Sequence, residues 1–359
     1  MFENILESVK SGKGVTLEQA RALLAVLDNN PDAMLDLLAL ARLTVSRFAA
    51  SGAATAAAPA SAIAAAPAPF TCGIINAKSG RCAENCSFCA QSRYHATASP
   101  VYPLVDDEVL LERARLLAEN GVDYMGIVIS GTGPSDKDFE RICAAAQRII
   151  GETGIKLCAS LGILGMEQAV ALKQAGFTSY HHNLETSRSF YPEICGTHGV
   201  EIREQTVANA RVAGLRVCSG GIFGLGESWE QRLEMAETLR ELNVDSIPVN
   251  FLNPIPGTPL ENAATLPPRE ALMVIALFRL MHPGRDIVIC GGRGKVLGDW
   301  DKLIFSAGAN GMMVGDYLTT KGSPFERDLA MLEELGVRSR DVAGFRGVSA
   351  QAGIGDANA

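Results

Sequence analysis

From Phe70 onward the chain alternates between two kinds of segment, and this alternation limits the folds open to it more than any other feature. Short apolar runs at 71–77, 124–129, 156–160, 178–182, 217–222, 246–250, 286–290 and 311–314 read as strands. Between them, 106–120, 136–151, 166–175, 201–213, 229–242, 269–281 and 298–307 carry apolar residues at helical spacing. Asn120-Gly121, Ala175-Gly176, Ala213-Gly214 and Ala309-Asn310-Gly311 supply glycines that close a helix before the next strand. A strand that is a continuous apolar run is buried on both faces, as in a parallel sheet covered by helices. About eight such units predict an α/β fold, a (β/α)8 barrel of the TIM type over 70–345, in preference to a doubly wound open sheet. Catalytic residues then belong at the C-terminal ends of strands and in the loops that follow.

Residues 1–49 read as a helical extension. Thr16 precedes Glu18 and the apolar series Ala20, Leu23, Leu24, Val26 and Leu27; Pro31 precedes Ala33, Leu35, Leu37, Leu38, Leu40 and Ala41. Residues 50–69 turn to Ala, Ser, Gly and Pro. Alanine favours helix, but Pro59, Pro67 and Pro69 interrupt it, so the segment reads as a linker, and 346–359 as a flexible tail. With 47% hydrophobic and 20% charged residues, the chain can bury a large core and is not globally disordered. A net charge of −8 argues against a nucleic-acid ligand, which needs concentrated Lys and Arg. No apolar run approaches the roughly 20 residues of a membrane helix. The opening MFENILESVKSGKGV lacks a signal-peptide layout, so a cytoplasmic location is expected. Nine cysteines, an odd number in such a chain, fit metal ligation and core packing better than disulfides.

Straight after the first strand comes Cys82-Ala-Glu-Asn-Cys86-Ser-Phe-Cys89. Three thiolates at this spacing, on a loop at the barrel mouth, can take three corners of a cubane [4Fe–4S] cluster. The fourth iron then has no protein ligand. S-adenosylmethionine (SAM) can chelate it through its amino and carboxylate groups and be split by one electron into a 5′-deoxyadenosyl radical. Structural zinc is the competing reading, but it needs four closed ligands, often in paired C-x-x-C units. His95 is a candidate fourth ligand, without a second pair. The motif, with Phe88 in its aromatic position, resembles that of the radical SAM superfamily.

More specific strings follow: Asn76-Ala-Lys-Ser-Gly-Arg-Cys82, His182-Asn-Leu-Glu-Thr186, Val217-Cys-Ser-Gly-Gly-Ile-Phe-Gly-Leu-Gly-Glu227, Asn250-Phe-Leu-Asn-Pro-Ile-Pro-Gly-Thr-Pro-Leu260 and Gly315-Asp-Tyr-Leu-Thr-Thr320. In order and at matching barrel positions, they resemble the biotin synthase family over nearly all of the chain after Thr71. The resemblance implies an enzyme that inserts sulfur into dethiobiotin, with adenosyl-radical hydrogen abstractions flanking sulfide transfer from an auxiliary iron–sulfur cluster inside the barrel. It implies that Gly221 and Glu227 contact the methionine end of SAM, and that Arg203 holds its carboxylate. Glu185, where the family usually carries aspartate, would grip the ribose. Asn183 would serve both SAM and the ureido ring of the substrate, Asn250 the ureido ring, and Thr319 and Thr320 the acid tail. A homodimer and a flavodoxin or ferredoxin electron donor are also implied. Taken without the resemblance, these residues have plainer readings: a glycine-rich turn, a carboxylate at a helix N-terminus, a solvated arginine, and asparagines bonding their own turns.

Cys72, Cys158, Cys218 and Cys290 fall in four different predicted strands. A buried strand cysteine usually packs as a small apolar side chain, but four on separate strands of a closed barrel converge on one interior volume. In the family, three cysteines and an arginine bind the auxiliary cluster. Two match Cys158 and Cys218, and the arginine matches Arg293, but the third aligns with Gly126. Cys72 and Cys290 stand where many relatives carry serine or another small residue. The expectation is a rearranged set, Cys72, Cys158, Cys218 and Cys290, holding a [4Fe–4S]-type or [2Fe–2S] cluster. Arg293 would lie beside it, balancing charge or contacting substrate. Cys143 and Cys195 are assigned to no metal. His181 and His182 point to opposite faces of a strand, so at most one enters the barrel. Two other readings stay open: a hydrogenase-maturase-like or pyrrolysine-pathway-like radical enzyme, and a non-catalytic metal-binding barrel or zinc hydrolase.

Overall fold

The computed structural model describes residues 2–49, 68–315, 318, 322 and 324–336. Residues 50–67 of the linker expected over 50–69 and the tail 346–359 lie outside them, as do Thr319 and Thr320. Strand segments β1 (Phe70–Lys78), β2 (Tyr124–Ile129), β3 (Lys156–Ser160), β4 (Ser179–His181), β5 (Arg216–Cys218), β6 (Gly221–Phe223), β7 (Ser246–Phe251), β8 (Asp286–Ile289) and β9 (Gly311–Met313) form one parallel sheet. The order β5-β4-β3-β2-β1-β9-β8-β7-β6 closes where β5 pairs with β7 through Cys218 and Ser246. Segments β5 and β6 are two halves of one stave, so the nine segments make eight staves. The break has a cause on the neighbouring strand. Pro248 of β7 has no N–H to give, and the ladder resumes only at Gly221 and Val249.

The helices between strands are α4 (Asp107–Glu119), α5 (Asp136–Thr153), α6 (Met166–Gln174), α7 (Tyr191–Ile194), α8 (Val200–Val212), α9 (Trp229–Glu241), α10 (Pro268–Met281) and α11 (Arg293–Leu297), and α12 (Phe325–Glu334) follows the last strand. Side chains alternate as a barrel requires. Tyr124, Gly126 and Val128 face the interior cavity, while Met125, Ile127 and Ile129 are buried beneath the helices. Burial on both faces is why the strands read as unbroken apolar runs. The stretch 298–307, expected as one α-helix, is a 3-10 helix over Gly298–Ile304 preceded by α11. Gly298, with φ of 53°, ends α11, and the chain continues in the tighter form.

Helices α1 (Phe2–Lys10), α2 (Leu17–Asn29) and α3 (Ala33–Thr44) precede the barrel. Helix α2 starts at a capping box in which the Gln19 N–H donates to Thr16 Oγ1 at 3.2 Å and the Thr16 N–H donates to Gln19 Oε1 at 2.9 Å. The extension joins α9 and α10 through an Arg21–Glu230 pair at 2.8 Å and a Val15 N–H to Leu280 carbonyl bond at 2.9 Å. Helix α10 is therefore covered on nearly every side, which is why its sequence is apolar all round.

Within that interior Arg279 has no exposed surface. Its guanidinium donates to the carbonyls of His282, Pro283, Arg285 and Gly308 and to Asn310 Oδ1, at 2.6–3.2 Å. Burial lowers its pKa to about 10, which still leaves it cationic at neutral pH. Arg279→Met would leave these acceptors unsatisfied and should cost about 3–5 kcal/mol of unfolding free energy. Arg240→Met, which removes an exposed pair with Glu237, should cost under about 1 kcal/mol, both measured by denaturant titration.

Candidate active site

One cavity of about 330 Å³ occupies the barrel interior and opens toward the loop after β1. Phe88, Cys89, Ala90 and Gln91 of that loop form its upper wall. The loop is built by its own backbone: the Cys82 N–H donates to the Gln91 carbonyl, the Arg93 N–H to the Cys82 carbonyl and the Cys89 N–H to the Cys86 carbonyl, at 2.9–3.0 Å. Arg81, just before the first cysteine, holds a left-handed φ of 51°, a strained setting for a residue with a Cβ. His95 Nδ1 meets the Cys89 carbonyl at 2.8 Å, so that nitrogen is engaged with backbone.

Cys72, Cys158, Cys218 and Cys290 all line the same cavity, on β1, β3 and β5 and just beyond β8. Gly126 lines it too, beside Cys158 in the β2–β3 register. A thiol is thus missing from β2, and the cavity has thiols on β1 and after β8 instead. Burial raises the cost of ionising all four, and neighbouring thiols add to it at Cys72 and Cys218. Burial pushes Cys72 well up, and Cys290, Cys218 and Cys158 push it further. Burial lifts Cys158 to about 11 and Cys290 to about 12, the latter opposed by the Arg293 charge. Thiolates so placed need a polycation between them, and iron meets that need. His181 also enters the cavity, its Nδ1 3.4 Å from Cys218 Sγ, and burial lowers its pKa to about 4, so it is neutral at pH 7. His182 is buried away from the cavity lining.

Arg203 binds the upper wall together. It is buried on α8, not solvated, and donates through Nε to the Tyr191 hydroxyl at 2.7 Å and through Nη1 to the Asn183 carbonyl at 2.9 Å. Nη1 also meets Glu185 at 3.4 Å, and Nη2 approaches Cys86 Sγ at 3.9 Å. Glu185 lines the cavity with a left-handed φ of 71°. Burial pushes its carboxyl pKa up, against the pull of Arg203. Asn183 and Asn250 also face the cavity, and each braces a neighbouring strand end. Asn183 Oδ1 accepts from the Gly220 N–H at 3.3 Å; Asn250 donates to the Gly221 carbonyl at 3.1 Å and accepts from the Gly291 N–H at 2.9 Å.

Cys82, Cys86 and Arg203 are not among the residues that line the cavity, and neither are three further sequence-selected residues. Gly221 is off the cavity lining, pressed against the Glu185 backbone. Glu227 spends both oxygens on its own turn and helix, accepting from the N–H groups of Gly224 and Leu225 and from Arg232, at 2.7–2.9 Å. It shapes the glycine-rich turn from behind. Arg293 is buried and paired with Asp328 of α12 at 2.7 Å, with Asp301 at 3.7 Å. It is absent from the described lining and acts on Cys290 only through its charge.

Two family patterns cover the barrel: the radical SAM superfamily over residues 77–239, and the biotin and thiamin synthesis associated domain over 248–338. A biotin synthase from Nitratidesulfovibrio vulgaris (strain DP4) is 55% identical over 327 residues, 91% of this chain and 85% of that protein. The chain belongs to the biotin synthase family. A biotin synthase from Geotalea uraniireducens (strain Rf4) is 56% identical over 267 residues, 74% of this chain and 81% of the relative. Among solved structures, methylornithine synthase superposes with a TM-score of 0.78 at 20% identity, covering 94% of this chain and 98% of that one. The FeFe-hydrogenase maturase from Carboxydothermus hydrogenoformans superposes with a TM-score of 0.73 at 17% identity, covering 93% and 78%. These two show the barrel fold, and the sequence relatives separate this chain from those enzymes and from a zinc hydrolase. Biotin synthases use a [4Fe–4S] cluster and SAM, and an auxiliary iron–sulfur cluster is typical of the family. The two thiol sets, one on the loop and one inside the cavity, suit those groups. No described helix is long and apolar enough to cross a membrane.

Of the two adjacent histidines, of which at most one is expected to enter the barrel, His181 is the one that does; sequence reasoning missed α7 and the bonds around Cys195 and His198. The Cys195-Gly-Thr-His198 spacing was the available signal. A Cβ on Gly221 would lie 2.3 Å from the Glu185 carbonyl oxygen and 2.5 Å from Met235 Cε. In this biotin synthase-family chain Gly221→Ala should displace Glu185 and weaken SAM binding at least about tenfold, an effect on the order of 1.4 kcal/mol, while iron content stays unchanged. Equilibrium dialysis and an iron assay check both.

Proposed function

We propose that the chain converts dethiobiotin to biotin in the barrel cavity, with Cys82, Cys86 and Cys89 holding the radical [4Fe–4S] cluster and Cys72, Cys158, Cys218 and Cys290 the auxiliary cluster. The observation that carries this reading is a single cavity lined by four interior thiols and by Phe88 and Cys89 of the loop. Bound there, SAM and the two clusters supply a 5′-deoxyadenosyl radical to take substrate hydrogens and the sulfur that is inserted.

The chain's own side chains bind and orient. Arg203 attracts the SAM carboxylate while bonded to Tyr191 and Asn183, and Glu185 takes the ribose diol. Each asparagine amide has two donors and two acceptor lone pairs, so Asn183 and Asn250 keep capacity for a ureido ring after bracing the strands. Thr319 and Thr320 take the acid tail of the substrate. Ile74, Val128, Phe251 and Met313 give the cavity apolar walls that exclude water from a reactive radical. Arg293 eases negative charge at Cys290 from outside the cavity. A flavodoxin or ferredoxin donor, a homodimer and a cytoplasmic location complete the reading, with 1–49 as helical extension and 70–345 as catalytic barrel.

Anaerobically reconstituted protein given dethiobiotin, SAM and a reductant should yield biotin and 5′-deoxyadenosine. Deoxyadenosine without biotin would overturn the substrate assignment. Cys72→Ala and Cys290→Ala should each lose roughly the iron and sulfide of one cluster while SAM cleavage persists. Full iron in both variants would reject the four-cysteine set.

A further inference from the structure

The partners of Arg203 divide its guanidinium among them nitrogen by nitrogen. Nε donates to the Tyr191 hydroxyl at 2.7 Å, and Nη1 donates to the Asn183 carbonyl at 2.9 Å and to Glu185 at 3.4 Å. Nη2 has no oxygen partner among the described residues and approaches Cys86 Sγ at 3.9 Å. A guanidinium is planar and its donors are fixed in one fork, so holding Nε and Nη1 sets the direction of Nη2. An incoming carboxylate is therefore left with Nη2, the nitrogen nearest the three-cysteine loop.

The shortest of these bonds is the one to Tyr191, and Tyr191 is itself fixed on several sides. It opens α7 and is buried. Its N–H donates to the Ser187 carbonyl at 2.9 Å, and its carbonyl accepts from the Cys195 N–H at 3.0 Å. The ring lies against Arg203, with the guanidinium carbon 5.6 Å from the ring centroid, and meets the His198 ring edge to face at 5.9 Å. The hydroxyl also meets His198 Nε2 at 2.8 Å. His198 Nδ1 meets Glu84 at 2.6 Å, and Glu84 stands between Cys82 and Cys86 in the loop. A single hydroxyl thus ties Arg203 to the loop through residues that do not line the cavity.

Packing does not call for that hydroxyl. Phenylalanine would fill the same space and keep a ring against the guanidinium. What the oxygen adds is an acceptor for a buried N–H, and with it a fixed orientation of the fork.

We propose that Tyr191 is a positioning residue for SAM, its hydroxyl holding Arg203 by Nε so that Nη2 is presented to the SAM carboxylate beside the three-cysteine loop. The proposal rests on the reading of Arg203 as the partner of that carboxylate. Without the hydroxyl the fork is free to turn, and the cost of fixing it falls on SAM binding instead of on folding. The adenosine end of SAM makes no demand on Arg203 and is unaffected.

The test compares two ligands by anaerobic equilibrium dialysis against reconstituted protein. SAM carries the carboxylate; 5′-methylthioadenosine keeps the adenosine and lacks the amino-acid part. In Tyr191→Phe the SAM affinity should fall about tenfold, 5′-methylthioadenosine should change by less than about twofold, and bound iron should stay the same. On an Arg203→Gln background, where no guanidinium remains to be held, the same change should weaken SAM by less than about twofold further. Should Tyr191→Phe fail to take up iron, His198→Leu, which cuts the hydroxyl from the loop, is read by the same comparison and should show the same selective loss. In the variant that loads, an unchanged SAM affinity or equal losses for both ligands would overturn the proposal, as would a full tenfold loss on the Arg203→Gln background. An Arg203→Gln chain that binds SAM as tightly as the parent would instead remove the carboxylate assignment, so the two failures are distinguishable.

Discussion

The hydrogen-bond ladder that closes between Cys218 and Ser246 is the constraint on which the rest of the molecule depends. An open sheet would let alternate side chains spread over a broad face. Closure turns the same alternation into a single interior, so residues far apart in sequence must share one small volume. Cys72, Cys158, Cys218 and Cys290 meet there for that reason, although no two lie on the same strand segment. The same closure brings Gly126 onto the wall, and the thiol absent from β2 is balanced by thiols contributed from β1 and from beyond β8.

Above the belt of thiols, the site is organised by buried charge. Arg203 touches the cluster loop, Asn183, Glu185 and Tyr191 at once. A buried guanidinium is tolerable only when its donors are satisfied and its charge is opposed. Glu185 and the proposed iron thiolate at Cys86 oppose it. Tyr191 then passes the connection to His198 and Glu84, joining the loop that carries the three-cysteine motif to the elements around Asn183 and Glu185. The two strained residues at the site, Arg81 and Glu185, flank this network. Backbone strain of this kind persists only where the surroundings over-determine the conformation.

Some features are legible in the sequence. The strand bounds 124–129 and 156–160 coincide with β2 and β3, because continuous apolar runs ended by turn residues leave little freedom in placing them. The inward thiols followed from strand position alone. The polar residues were harder. Glu227 stands in a string that resembles a SAM-binding turn, yet its carboxylate is taken up by Gly224, Leu225 and Arg232. Arg293 follows Cys290 closely, yet its guanidinium turns toward Asp328. A pattern fixes where a Cα lies; a long flexible side chain goes where its best partner is.

By itself, the sequence determined the alternation of elements, the parity of each strand residue and the three-cysteine loop, all of which depend on neighbours only a few positions away. Tertiary structure alone decided which groups meet across the barrel. Arg203 and Cys86 are 117 residues apart, and Glu84 and His198 are 114 apart. Their contacts arise from closure and helix packing, and no local spacing encodes them. Barrel geometry sets the volume in which the side chains meet, and the balance of desolvation against pairing then selects which of them face the cavity.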